Sequence, residues 1–111
     1  MDIFKKEDCG YIIFELRGEV TDPGILSKIE RQVEKQLKSG KEHLAIDLRL
    51  CDYLNSGLIG FFLSWKKQQE DKGLKFCLIE PSDKALEVLK LCGIPDMITV
   101  YKNDVEFQKS S

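Results

Sequence analysis

Leu44-Ala-Ile-Asp-Leu-Arg-Leu-Cys-Asp-Tyr-Leu-Asn-Ser-Gly-Leu-Ile-Gly-Phe-Phe-Leu-Ser-Trp-Lys-Lys-Gln-Gln-Glu-Asp-Lys-Gly73 is the stretch from which the fold is read. Leu44, Ile46 and Leu48 lie in a short apolar run of the length a buried strand needs. A polar turn with Asp52, Asn55 and Ser56 follows. A helix from about Gly57 to Asp71 comes next, and its first half is almost wholly apolar. Asn55 or Ser56 is its candidate cap, because a short side-chain oxygen there accepts a bond from a free amide of the first turn. Amides point outward at such a helix start, and the dipole favours negative charge.

At about 100° per residue, Leu58, Phe61, Phe62 and Trp65 cluster on one face of this helix and are expected to pack on the sheet. Ile59 and Leu63 point away from that face, in line with Lys66 and Glu70. Either they are exposed beside the helix start, as a docking surface requires, or a neighbouring helix covers them. Gly60 costs helix stability and is read as allowing close approach to a neighbour.

Downstream, Gly73 ends the helix and Leu74 to Ile79 reads as a strand. Glu80-Pro81 breaks it, and Ser82 caps a helix whose Ala85, Leu86, Leu89 and Cys92 form an apolar stripe. Gly93 terminates that helix and Pro95 prevents its resumption. Met97 to Tyr101 is a last strand, and Asn103 to Gln108 a short helical turn.

Upstream, Asp2 to Lys6 reads as an edge strand, and Glu7-Asp8-Cys9-Gly10 as a hairpin turn. Tyr11 to Arg17 follows, with Ile12, Phe14 and Leu16 on one face and Tyr11 and Ile13 on the other, so it is an interior strand. Gly18 to Gly24 leads into a helix, with Asp22 as cap and Pro23 in first position. Ile25, Leu26, Ile29, Val33 and Leu37 recur at helical spacing. Glu30, Arg31, Glu34, Lys35 and Lys38 make a solvated face, and Ser39-Gly40 ends the helix.

Strands alternating with helices after residue 18 imply parallel pairing with right-handed crossovers. The expected fold is α/β, a small mixed β-sheet of four to five strands with helices packed mainly on one side. At 111 residues it is expected to be one domain, 1–111.

The composition, 42% hydrophobic and 32% charged, is that of an ordinary globular chain. The net charge of −2 gives no basic footprint for nucleic acid. No apolar run approaches the roughly 18 residues of a membrane span. Met1-Asp-Ile-Phe-Lys-Lys lacks a signal peptide's apolar core, which predicts a cytoplasmic location. Cys9, Cys51, Cys77 and Cys92 contain no Cys-x-x-Cys pair and read as small core residues. His43 reads as a boundary residue, and Asp47 as a group bonding loop amides. Gly57 and Gly60 give only Gly-x-x-Gly, far short of a phosphate loop. One histidine leaves few choices of general base. The expectation is a protein-binding module that is no enzyme and carries no cofactor or metal.

The ordered set Ile46-Asp47-Leu48, Ser56-Gly57-Leu58, Lys72-Gly73 and Leu89-Lys-Leu-Cys-Gly-Ile94, with Gly18 upstream, resembles the STAS domain of bacterial anti-sigma factor antagonists. The resemblance covers nearly the whole chain. It implies a STAS fold and binding to an anti-sigma factor, often an ATPase of the kinase type, which frees a sigma factor. It also implies a loop before the central helix that serves for docking and as a phosphorylation switch. Asp52, Asn55, Ser56, Gly57, Ile59 and Leu63 are then the candidate partner-binding residues. Two positions depart from the family pattern. Leu54 stands where the family has an acid, and Asn55 where the family has its phosphorylated serine. Asn55 cannot take a phosphate, which leaves Ser56 as the candidate acceptor, with helix capping as its alternative role, or a loop locked by Asn55 in the unmodified state, giving an antagonist that binds constitutively. The wider STAS group offers other roles: a transporter subunit, a stress-signalling scaffold or a nucleotide-binding domain.

Overall fold

The computed structural model describes residues 2–19 and 23–110. The chain runs β1 (Asp2–Asp8), β2 (Tyr11–Glu19), α1 (Pro23–Ser39), β3 (His43–Asp47), β4 (Cys51–Tyr53), α2 (Ser56–Asp71), β5 (Phe76–Ile79), α3 (Asp83–Leu91), a 3₁₀ turn (Ile94–Asp96), β6 (Thr99–Tyr101) and α4 (Asp104–Ser110). Asp22, expected to cap α1, lies outside the described residues.

The hairpin forms, with a tighter turn than expected: Glu7 and Asp8 extend β1, and only Cys9 and Gly10 lie between the strands. Cys9 and Gly10 both take positive φ, 55° and 80°, as two-residue turns matched to the strand twist demand. It folds β1 antiparallel onto β2, in an unbroken register from Asp2↔Arg17 to Asp8↔Tyr11. All other pairings are parallel. The sheet order is β1-β2-β3-β5-β6, with β4 added beside the end of β2.

Six strands form where four to five were expected. The additional one is β4, which the sequence pattern places inside a polar turn. Gly18 takes φ 99°, and the register shifts between Gly18 and Glu19. That irregularity turns the end of β2, so that Gly18 meets Cys51 and Glu19 meets Tyr53. A strand this short carries no readable alternation.

The main core lies between the sheet and α1, α2 and α3. Ile12, Phe14 and Leu16 of β2 meet Ile29, Val33 and Leu37 of α1, Leu58, Phe62 and Trp65 of α2, and Ala85 and Leu89 of α3. On the opposite face Tyr11, Ile13, Ala45, Cys77 and Ile79 are covered by Phe107 of α4. Phe107 packs edge-on against Tyr11 and Tyr101, at centroid distances of 4.9 and 5.5 Å. Helices therefore lie mainly on one side, as expected.

Several expectations of exposure are corrected. Ile59 is buried, 6% exposed. It belongs to the main core cluster together with Leu58, Phe62 and Trp65 of the same helix. Phe61 is only half-buried and stacks on Trp65, 5.6 Å between centroids. Glu34 is not simply solvated: its carboxylate accepts from Trp65 Nε1 at 3.2 Å, joining α1 to α2. Cys9 and Cys92 are exposed, whereas Cys51 and Cys77 are buried. Burial pushes the last two thiols up to about 11 and about 12, so neither is an activated thiolate at neutral pH.

Candidate functional site

The site is the chain from Asp47 to Leu63, where β3 ends, β4 pairs briefly and α2 begins. Backbone and side-chain bonds hold it along its whole length. Leu48 N–H donates to Ile79 O at 2.9 Å, Cys51 N–H to Leu48 O at 3.1 Å, and Gly18 N–H to Leu50 O at 2.9 Å. Ser82 caps α3, as expected, by accepting from Ala85 N–H at 3.2 Å, and its hydroxyl also donates to Cys51 O at 3.1 Å. One side chain thus ties the loop to the start of a second helix.

Asp47 also has the role expected of it. Its Oδ1 accepts the Arg49 amide at 3.0 Å, and Arg49 Nη2 approaches both Asp47 and Glu15, at 3.9 and 3.7 Å. Burial raises the Asp47 pKa, Glu15 raises it further, and the amide and charge of Arg49 with Lys6 oppose the shift. A raised folded-state pKa gives stability that is fully present below the unfolded carboxylate pKa and is lost as pH rises through the folded value. At neutral pH the charge on Asp47 therefore costs stability. Asp47→Asn keeps an acceptor for Arg49 N–H and removes the charge. Thermal unfolding is expected to show an unchanged or higher Tm than wild type at pH 7, with the difference vanishing in acid. A lower Tm at pH 7 would show that the pairing with Arg49 outweighs burial.

Leu54, one of the two departures from the family pattern, is buried, 2% exposed, and pins the loop to the core. Asn55 is the cap of α2. Its backbone is extended, with φ −103° and ψ 167°, its Oδ1 accepts Leu58 N–H at 2.8 Å, and its carbonyl accepts Ile59 N–H at 3.2 Å. Ser56 is consequently the first helical residue and is exposed; its hydroxyl is not the cap. Asn55→Ala is expected to lower stability by about 1 kcal/mol, measured by urea unfolding. Asn55→Ser should recover most of that loss.

The structure brings Asp52, Asn55, Ser56 and Gly57 together, and all but the half-buried Asn55 are exposed. Leu63 is exposed and falls on the same helical face as Ser56, with Gly60 and Lys67 between and beyond them. Ile59 does not belong to this surface. A side chain at Gly60 would meet open space, so this glycine flattens the surface and does not admit a neighbouring helix. The close approach is at Gly57, where an added Cβ would lie 2.7 Å from Leu26 Cδ2 of α1.

Sequence reasoning missed Leu50 and Tyr53, which are 45% and 54% exposed and flank Asp52. The available signal was a pair of large apolar residues inside an otherwise polar turn. No helix among the described residues is long and apolar enough to cross a membrane.

A family model for the STAS domain matches residues 2–106. No curated protein matches the chain in sequence. Among solved structures, the chain is similar to a candidate anti-sigma factor antagonist of Thermotoga maritima, at 17% identity and TM-score 0.84, covering 97% of this chain and 92% of that one. It is also similar to an anti-sigma-factor antagonist (STAS) domain protein of Planctomyces limnophilus, at 18% identity and TM-score 0.83, covering 99% and 97%. A third is the Bacillus cell fate determinant SpoIIAA in its phosphorylated form, at 12% identity and TM-score 0.74, covering 99% and 100%. At these identities the likeness establishes the shared fold.

Proposed function

The chain belongs to the STAS domain family, and from that premise we propose that residues 1–111 act as one regulatory binding domain that docks an anti-sigma factor of the ATPase or kinase type and so frees a sigma factor. The docking surface is the loop Asp52–Gly57 with Leu50, Tyr53 and Leu63, and Ser56 is the switch residue. One observation carries this reading. Asn55 has taken the cap, which leaves the Ser56 hydroxyl outside the cap, exposed on the first turn of α2, in a stretch of chain that also exposes Leu50, Tyr53 and Leu63. An exposed aromatic residue and two exposed aliphatic residues, with Asp52, Asn55 and Ser56 in the same stretch of chain, have the composition of an interface with apolar and polar parts. The bonds from Ser82, Asp47 and Gly18 present it as a fixed surface. The chemistry is recognition, with no catalytic step.

The test is capture from a lysate of the source organism, followed by titration of the recovered partner. Wild type is expected to recover an ATPase-type anti-sigma factor. Tyr53→Ala and Leu63→Asp should each weaken the complex about tenfold or more without lowering the Tm. Recovery of a transporter or a scaffold protein in its place would overturn the antagonist reading and assign the chain to the wider STAS group.

A further inference from the structure

We propose that β1 is a self-recognition edge, through which two copies of this chain pair antiparallel to make one continuous sheet. This surface is distinct from the docking loop. β1 is the outer strand of the sheet and, among the described residues, pairs only with β2, so its other edge offers backbone groups that no described strand pairs. Of the devices that blunt such edges, charge is present, as Asp2, Lys5, Lys6, Glu7 and Asp8, but the structural ones are missing. The register from Asp2 to Asp8 contains no bulge, and the strand contains neither proline nor glycine. The opposite edge, β6, spans only Thr99–Tyr101 and offers far less.

Charge fixes both the occupant and the register. In an antiparallel pair, facing residues must both point their backbone groups toward the partner or both away from it. For two copies of β1 this permits symmetric pairings centred on one residue. Centring on Lys5 sets Lys5 against itself and Asp2 against Asp8, which repel. Centring on Phe4 sets Asp2 of each copy against Lys6 of the other, and Phe4 against Phe4. Both ion pairs and the aromatic pair then lie on one face.

That face is the one turned from α1, α2 and α3, because Phe4 and Lys6 lie opposite Glu15 and Ile13 of β2. Phe4 is 46% exposed, and the Arg17 guanidinium sits over its ring, 4.2 Å from the centroid. Asp2 lies opposite Arg17 on β2. In the pair it would stand between Arg17 of its own chain and Lys6 of the second copy. Neither Asp2 nor Lys6 enters an ion pair among the described residues. A second copy therefore supplies both with a close ion pair, beyond the longer-range influence of Lys6 on Asp47. The assembly would carry two docking loops.

Sedimentation across a concentration series tests the pairing. Wild type is expected to shift from monomer to dimer as concentration rises. Lys6→Asp or Asp2→Lys alone should weaken association about tenfold or more, since each replaces two attractive pairs by two repulsive ones. The double swap Asp2→Lys with Lys6→Asp should restore it. A separate measurement reads the register: under oxidation Phe4→Cys should give a dimer linked through position 4, whereas Ile3→Cys, which faces Lys5, should not link through position 3. Wild type that stays monomeric throughout would overturn the proposal, as would a dimer indifferent to the charge reversals.

Discussion

Trp65→Ala is expected to lower the unfolding free energy by about 3 to 5 kcal/mol, the range for deleting a fully buried large aromatic. For a domain of this size that is a fall in Tm of roughly 12 to 20 °C. The ring is 0% exposed. It stacks on Phe61, lies 5.9 Å from Phe62 and meets Phe76 edge-on at 6.4 Å. Its Nε1–H also reaches Glu34 of α1. The substitution thus opens a cavity where α2, the sheet and α1 meet, and it deprives the Glu34 carboxylate of a donor. Phe61→Ala, at a half-buried ring on the rim of the same cluster, should cost clearly less. Thermal unfolding followed by circular dichroism decides the matter. A fall of only a few degrees for Trp65→Ala would mean that the indole does not organise this seam.

Ser56→Asp is expected to leave the fold intact and to weaken partner binding more than a hundredfold. The two halves of this result have separate causes. In the free domain a negative charge on the first turn of α2 faces unpaired amides and the positive end of the helix, so stability should hold or rise slightly. In the complex the charge must lose water in a packed interface, beside Asp52. A penalty of about 3 kcal/mol already exceeds a hundredfold in affinity. Phosphate, at about −1.5 to −2 charges, should act more strongly than aspartate. Titration calorimetry beside a melting curve separates the two halves. Unchanged affinity would remove Ser56 from the switch, and a collapsed Tm would show that the residue serves the fold. Ile59→Asp makes the instructive contrast. The periodicity left Ile59 either on the surface or under a neighbouring element, and its burial predicts that a charge there destabilises the fold itself.

What the sequence could show, and what it could not, follows from how far each signal reaches along the chain. Ser82 as a cap, a hairpin turn ending at Gly10 and the two-faced burial of β2 are local facts, decided within a few residues. They stand in the structure as read. Ile59 could not be assigned between surface and cover, because its burial depends on core residues contributed by other elements. A helical wheel of α2 contains no information about those residues. β4 was missed because it exists only by pairing with the turned end of β2, a partner far away in sequence. Glu34 shows the same limit: its neighbours on α1 are charged, and only the arrival of Trp65 from α2 draws it into a seam. At the site itself, Asn55 and Ser56 are both good caps by residue type. The backbone angles at Asn55 settled which one serves.

The hydroxyl of Ser82, shared between the first turn of α3 and the carbonyl of Cys51, has a consequence for kinetics. A loop held in this way has already lost its conformational freedom when the chain folds, so a partner meets a finished shape and little ordering entropy remains to be lost on contact. Encounter should then be governed by collision and orientation. Differences among variants of the surface should appear in how long the complex lasts, not in how fast it forms. Removing that hydroxyl with Ser82→Ala would loosen the loop and return the entropy to the binding step, slowing association even though Ser82 lies outside the docking surface.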